Sequence, residues 1–399
     1  MNSESPPQRR SRKPVIGSKQ EEIFRALQQA IEEKRYQVGD YLPSTRQLAL
    51  EYHTSVTPIQ RAYSALADMG YIEKIHGSGI RVKAISSNEA KVLLKPQIEL
   101  VTCFKNPSAE PQKIHMVQAL EEWLVWHLTR SDQTRVSLNV INDDERGKII
   151  QTLGEMRYLK PDTLVFARPD YPSVAVKKII KQLVDQGTKV CCFAGKARLP
   201  YCDLATSDFE SGQYKLTKYL LEHGHHNILR LQANPVFYYE AEKQKGFERA
   251  MLEHGLDRDE IARRTVSLSK YTDIMTEIDS ELLESIVGDL LDDKKITAVM
   301  ALNDISVLFV RRALRRMGRE DIEVAGYDAI WNEVSWPMIV GPENYDPEEV
   351  GLDKTPISVD THLPEVAKEL ANLAVLRAKG ELPQALQRRR VDQTLVCLR

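Results

Sequence analysis

Residues 42–82 read LPSTRQLALEYHTSVTPIQRAYSALADMGYIEKIHGSGIRV. Ser44-Thr45-Arg46-Gln47 forms a capping box, in which a serine hydroxyl and a glutamine amide satisfy orphan backbone N–H groups at a helix start. It opens a short helix through Tyr52. Thr57-Pro58-Ile59-Gln60 reads as a second box, with proline in the first turn, where its missing N–H has no partner to lose. Ile59, Ala62, Tyr63 and Leu66 recur at helical spacing and Gly70 ends that helix. The apolar stripe faces a core, so Thr57, Gln60 and Arg61 face elsewhere. Residues 71–75 and 80–83 read as two strands around His76-Gly77-Ser78-Gly79, whose glycines let backbone approach another surface closely. Two capped helices followed by a hairpin make a winged helix-turn-helix, a shape suited to duplex DNA, with the second helix offered to the major groove.

Upstream, Ser18-Lys19-Gln20-Glu21 is another capping box. Ile23, Leu27 and Ile31 follow on one helical face, and Gly39 marks the expected stop. Residues 1–17, rich in Pro, Ser and Arg, read as a disordered basic tail. The winged domain spans 18–84, a polar linker 85–97, and a second style of sequence 98–399.

That second part alternates strand and helix patterns. Strands are expected over 98–104, 136–141, 163–167, 190–193, 228–231, 296–302 and 322–325. Helices are expected over 116–128, 146–156, 174–185, 213–222, 240–253 and 305–317, with 286–291 inside another. Gly187, Gly224, Gly255 and Gly318 stand just past helix ends. Repeated βα units imply a doubly wound parallel α/β sheet, and their number exceeds one small sheet, so two lobes with a cleft between them are expected. Ligands of such sheets sit beyond the carboxyl ends of the strands. Polar groups gather there: Lys105-Asn106-Pro107, Gly195-Lys196-Ala197-Arg198, Asn303-Asp304 and Tyr327-Asp328. Asn303 suits a helix N-cap as well as it suits a ligand.

Net charge over 399 residues is −2, unevenly spread. Residues 1–83 carry 13 Lys and Arg against 9 Asp and Glu; the rest carries 42 against 48. A modestly basic front fits phosphate contact. Five scattered cysteines lack metal or CxxC spacing and read as thiols of a reducing compartment. The N-terminus has no apolar signal core, and no run of eighteen apolar residues exists. A cytoplasmic protein without membrane segment, metal or cofactor is expected.

Residues 19–83 resemble the DNA-binding domain of the GntR family of bacterial repressors. The resemblance rests on Leu42-Pro43-Ser44-Thr45-Arg46, Thr54-Ser55-Val56-Thr57-Pro58-Ile59 and Gly77-Ser78-Gly79. It implies a phosphate contact for Arg46, groove positions for Ser55, Thr57, Gln60 and Arg61, and minor-groove approach for the wing glycines. Ser44, His76, Gly77 and Gly79 complete the candidate DNA contacts. Val56 stands where the family has Arg. Residues 97–399 resemble the periplasmic-binding-protein-like effector domain of the LacI/GalR family. That likeness rests on TAVMALND (297–304), IEVAGYD (322–328), Asp208 through His223-Gly224-His225 to Ile228, and Ile357-Ser358-Val359-Asp360 with the helix 364–378. It implies that Asn303 and Asp328 bind ligand hydroxyls. Lys243, in Lys243-Gln244-Lys245-Gly246-Phe247, occupies a position the family gives to Arg, and lysine lacks that planar fork. Tyr271 fits either a sugar-stacking ring or core packing. Asn106 and Arg198 join Lys243, Tyr271, Asn303 and Asp328 as candidate effector contacts. Residues 340–355 are an acidic insertion without counterpart.

The resemblances together imply a ligand-responsive transcription regulator, a homodimeric repressor released from a pseudo-palindromic operator by a small carbohydrate. An architectural DNA-binding protein with a degenerate, ligand-free pocket is the alternative. A pyridoxal-phosphate enzyme half would need a Schiff-base lysine among phosphate-cradling residues, a constellation not found here. The absence of clustered histidines argues against a metal-dependent helical effector domain.

Overall fold

The structure, a computed structural model, describes residues 19–68, 70–75, 79–83, 95–104, 116–142, 146–167, 173–195, 198–268, 285–286, 288, 291, 295–329 and 357–397. The chain divides into two compact units, Met1–Lys95 and Pro96–Arg399.

In the first unit, α1 (Lys19–Glu32), α2 (Thr45–Glu51) and α3 (Val56–Asp68) precede a hairpin of β1 (Ile72–Ile75) and β2 (Gly79–Val82). The strands are antiparallel, in the register Ile72 to Val82. Ile23, Leu27, Ile31, Leu48, Ile59, Ala62, Tyr63, Leu66 and Val82 share one buried cluster, so the 3.6-residue stripes face one another as expected. Ser44 caps α2 reciprocally with Gln47. Two expectations fail. The first helix ends at Glu32, well before Gly39, because Lys34 turns into the left-handed region at φ 60°. The third begins at Val56, so Thr57 is a helical residue and not a cap. Pro58 then sits in the first turn, where a missing N–H is harmless. Ser18 and residues 76–78 lie outside the described residues.

The second unit is doubly wound. Its first sheet is parallel, in the order β4-β3-β5-β6-β7-β13. Those strands are β3 (Gln97–Phe104), β4 (Arg135–Asn142), β5 (Thr163–Phe166), β6 (Lys189–Phe193), β7 (Asp203–Ser207) and β13 (Arg388–Val391). Helices α4 (Met116–Thr129) and α11 (Leu363–Ala378) cover one face, and α5 (Arg146–Leu159) and α6 (Val174–Asp185) the other. Successive residues of one strand divide between the two cores: Val165 and Cys191 with Leu124 and Leu370, their neighbours Leu164, Phe166, Val190 and Cys192 with Leu153 and Ile180. That is why the inner strands β5 and β6 are apolar along nearly their whole length, without polar alternation.

The second sheet runs β9-β8-β10-β11, also parallel, from β8 (Ile228–Gln232), β9 (Thr265–Ser267), β10 (Ala298–Met300) and β11 (Glu323–Ala325). Helices α7 (Phe209–Glu222) and α8 (Tyr238–Glu253) pack on one side, α10 (Asp304–Arg316) on the other, and α9 (Arg258–Arg263) precedes β9. Gly246 carries the α7–α8 crossing: a Cβ there would lie 2.2 Å from the Glu210 carbonyl oxygen. The chain passes between lobes after β7, after β12 (Ser358–Asp360) and between β13 and β14 (Thr394–Val396), the last pairing antiparallel with β12. Ser207 Oγ donates to Thr361 O at 2.6 Å and Asp208 N to Val391 O at 2.7 Å, binding these three passages together.

The expected strand and helix pairs are present, with α7 beginning at Phe209, four residues earlier than expected. Strands β7, β9, β13 and β14 and helix α9 had no counterpart in the expectation.

Candidate nucleic-acid interface and effector cleft

In the N-terminal unit, burial of Ile59, Ala62, Tyr63 and Leu66 fixes the rotation of α3. Tyr63 Oη donates to the Pro43 carbonyl, tying α3 to the residues before α2, and Leu42 N donates to Ile80 O at 2.8 Å, tying them to the wing. Thr57, Gln60 and Arg61 are left exposed on the outer side, with Ser55 immediately before the helix and Ser44 and Arg46 exposed at the start of α2. Gly79 opens β2 at φ 114°, a conformation that favours glycine, with the Tyr41 ring 3.5 Å from where a Cβ would stand. His76 and Gly77 lie outside the described residues. On the wing, Arg81 is paired with Glu73 across the strands, so its charge is already engaged.

In the C-terminal unit, helix α8 places Lys243 at the carboxyl ends of the second sheet. The lysine is 4% exposed. Its ammonium lies 3.5 Å from the centroid of the Tyr327 ring and donates to Leu302 O at 3.4 Å. Burial lowers its pKa; Asp328, Glu240 and Asp304 favour its charge and Arg230 opposes it. Burial raises the Asp328 carboxyl to about 6, against the pull of Lys243 and with the push of Glu240 and Asp360. Asp328 holds φ 97° and Ala329 φ 48°, a costly backbone for residues with a Cβ. The Asp328 N–H donates to Val359 O at 2.8 Å, which holds that turn against the return crossover.

Asn303 caps α10: its Oδ1 accepts from Ser306 N at 2.9 Å and Ser306 Oγ reciprocates at Asn303 N. Of the two roles open to it, the cap is the one realised, leaving its amide hydrogens for another acceptor. Thus Lys243, Asp328 and the Leu302-Asn303 strand end converge. Arg198 stands apart, exposed, with its charge acting on Tyr238 of α8. Asn106, Tyr271 and the 340–355 insertion lie outside the described residues.

Gln393, Arg390, Glu242, Arg230 and Glu240 were not singled out in the sequence. Tyr327 Oη donates to Gln393 Oε1, a side chain from the final crossover, and a Cβ at Gly212 would overlap that pair. Arg390 of β13 reaches across the lobes to Glu242 of α8 at 3.0 Å and to Asp208 at 3.6 Å. Tyr239 N donates to Gly195 O at 3.2 Å, a direct bond between lobes. Arg230 and Glu240, each 2% exposed, form an ion pair at 2.8 Å. Among the described residues, no group of three or more His, Cys, Asp or Glu could hold a metal ion, and no helix is long and apolar enough to cross a membrane.

Residues 19–82 match the bacterial regulatory proteins of the gntR family, and residues 128–357 match the periplasmic binding proteins and sugar binding domain of the LacI family. The chain is 23% identical over 273 residues to the HTH-type transcriptional regulator DegA of Bacillus subtilis, covering 67% of this chain and 72% of that one. It is 33% identical over 135 residues to the HTH-type transcriptional repressor PurR of Vibrio cholerae, covering 33% and 37%. A LacI family transcriptional regulator from Enterococcus faecium, solved with bound ribose, superposes with a TM-score of 0.51 at 18% identity, over 75% of this chain and 96% of that one. With more than half its length matched, and parallel lobes of the same fold, the chain belongs to the periplasmic-binding and LacI-type sugar-binding family, and it is a transcription regulator with a gntR-type DNA-binding head.

Proposed function

We propose that this regulator binds a pseudo-palindromic operator as a homodimer in the cytoplasm, and leaves it when a small carbohydrate enters the cleft of the second unit. The observation that carries this reading is the Lys243–Asp328 pair. A buried ammonium and a half-buried carboxyl that favours its charge stand at strand ends where such sheets hold ligands. Asp328 and the Asn303 amide suit vicinal hydroxyls, and Lys243 supplies a donor. The ribose complex of the E. faecium regulator supports a sugar as the ligand class. The chain acts as a sensor and not as an enzyme, in keeping with the regulators it matches.

A ligand moves such an equilibrium only through different affinity for two lobe arrangements. The bridges from Arg390 to Glu242 and from Tyr239 to Gly195 are contacts that a change of lobe angle makes or breaks. The homodimer draws support from the outer surface of the first lobe. Trp123 and Trp126 are 41% and 44% exposed on α4, and Leu138 and Val140 are 45% and 51% exposed on β4, a strand at the end of its sheet. A second copy would cover these groups. In the head, Arg46 holds phosphate beside Ser44, and α3 enters the major groove with Ser55, Thr57, Gln60 and Arg61 while the wing glycines Gly77 and Gly79, with His76, approach the minor groove.

Thermal-shift screening over mono- and disaccharides and nucleosides identifies the effector, and operator affinity is then measured with and without it. Asp328→Ala abolishes the shift while leaving operator affinity intact. Normal effector affinity in Asp328→Ala refutes the site, and operator affinity indifferent to the effector leaves only an architectural DNA-binding protein.

A further inference from the structure

We propose that Gln60 reads an adenine in the major groove of each operator half-site and is the residue that fixes that base. The inference rests on α3 being the recognition helix. The buried stripe of Ile59, Ala62, Tyr63 and Leu66, together with the tie from Tyr63 to Pro43, sets which side of α3 looks outward. That side presents Thr57, Gln60, Arg61 and Ser64, all exposed. They lie at i, i+3, i+4 and i+7, one face of the helix.

Among these four, Gln60 alone carries a side chain with a donor and an acceptor at fixed separation. Three other glutamines of the head are committed: Gln28 donates to Tyr71 Oη, Gln29 to Glu33, and Gln47 accepts from Ser44 N. The Gln60 amide has no hydrogen-bond partner among the described residues. In the major groove, adenine presents N7 as acceptor beside the N6 amino group as donor, a pattern an amide matches with two bonds. Guanine offers two acceptors there, which would set O6 or N7 against the amide oxygen. A phosphate offers acceptors alone, so the amide oxygen would lose its water without replacement. Arg61, with donors only, fits either guanine or phosphate and does not discriminate in this way. Gln60 therefore carries information about sequence, where Arg46 carries affinity.

The test uses the full-length protein and selection from a randomised duplex library, followed by binding isotherms at several salt concentrations. The wild type selects a motif with one fixed adenine per half-site that disappears in Gln60→Ala. Affinity for the selected site falls roughly 5- to 150-fold in that variant, the range of one bidentate base contact. Its salt slope stays that of the wild type, because no phosphate contact is lost. Gln60→Arg moves the preference at the same position from adenine to guanine. Both substitutions place good helix formers on an exposed face, so the head keeps its fold, checked by an unchanged circular-dichroism melt. A Gln60→Ala motif identical to the wild-type motif overturns the assignment while the recognition helix stands. So does an equal loss of affinity for all sequences with a shallower salt slope. A wild type that selects no sequence at all overturns the recognition helix and Gln60 together.

Discussion

Asp328→Asn should stabilise the empty protein at neutral pH while destroying effector binding. Burial holds the Asp328 carboxyl at about 6, against an ordinary value of 3.8. The folded chain thus keeps that proton more tightly than the unfolded chain. The stability the proton contributes is complete below 3.8 and is lost as pH rises through about 6. At about 1.36 kcal/mol per pH unit, the gap amounts to about 3 kcal/mol, present as a penalty at pH 7.5. At pH 4.5, where the folded carboxyl is neutral, the penalty is about 1 kcal/mol by the same linkage. Asparagine keeps the shape, tolerates the positive φ better than most residues, and has no charge to bury. The gain is partly returned, because the Lys243 ammonium loses a neighbour that favours its charge. A net stabilisation of about 1 to 3 kcal/mol at pH 7.5 remains, shrinking to about 1 kcal/mol or less by pH 4.5. Urea unfolding followed by tryptophan fluorescence at both pH values measures it. Trp123 and Trp126, on α4 of the same unit, report the transition. A variant less stable than wild type at pH 7.5, or a difference between the two that is flat with pH, refutes the reasoning.

Gly246→Ala should lower stability by at least about 2 kcal/mol, since its Cβ would press on the Glu210 carbonyl and, at 2.9 Å, on Tyr214 N, backbone atoms that cannot swing aside; an unchanged urea midpoint would show that α7 and α8 are not so closely crossed. Arg377→Met removes the partner of Asp203, 2% exposed and held at 2.8 Å by Nη2, and should cost about 3 to 5 kcal/mol, a fall of more than about 6 °C in the calorimetric melt. Arg390→Ala leaves Glu242 with Lys245 as its partner and removes the bond across the lobes, so the Tyr239 amide should exchange with solvent about tenfold faster; unchanged protection of that amide would mean that the ion pair does not hold the lobes together.

What the sequence revealed followed local physics. The α3 stripe, the Ser44 box and the apolar strand expected over 163–167 are each decided by neighbours within a few residues, and each is found, the strand one residue shorter at its end. What it concealed depends on partners far along the chain. No strand was expected over DLATS (203–207), yet all five residues are buried, with Asp203 paired to Arg377, 174 residues later. The run RRRV (388–391) reads as solvated charge, yet it is an edge strand on β7, with Arg390 answered by Glu242 and Asp208. In the cleft, the resemblance singled out Lys243 and Asp328, but only the fold joins them to Tyr327 and, through it, to Gln393. Asn303 was open between two roles because a cap and a ligand donor need the same short amide.

Two pairs of opposite charges, all buried except the half-buried Asp328, lie near the ends of β8, β10 and β11, and they differ in kind. Arg230 and Glu240 close on each other at 2.8 Å, and Gln244 accepts a further Arg230 bond at 2.8 Å. That pair is satisfied within the protein, as a structural pair must be to offset its desolvation. Lys243 and Asp328 are not satisfied to that degree. The ammonium has three hydrogens, of which Leu302 O takes one at 3.4 Å, and a ring face offers weaker attraction than an oxygen. The carboxyl is pushed toward its neutral form on a backbone that already strains at φ 97°. Gly326, just before, is pressed so close to the Asp304 carboxylate that no side chain fits. Stability alone would not retain this combination, since uncharged residues of similar shape would fold better. On the proposed reading, a ligand whose hydroxyls accept from Lys243 and donate to Asp328 supplies what the second lobe alone withholds. Because Lys243 and Asp328 belong to one lobe, the groups that would couple that ligand to the lobe angle are the cross-lobe bonds from Arg390 to Glu242 and from Tyr239 to Gly195.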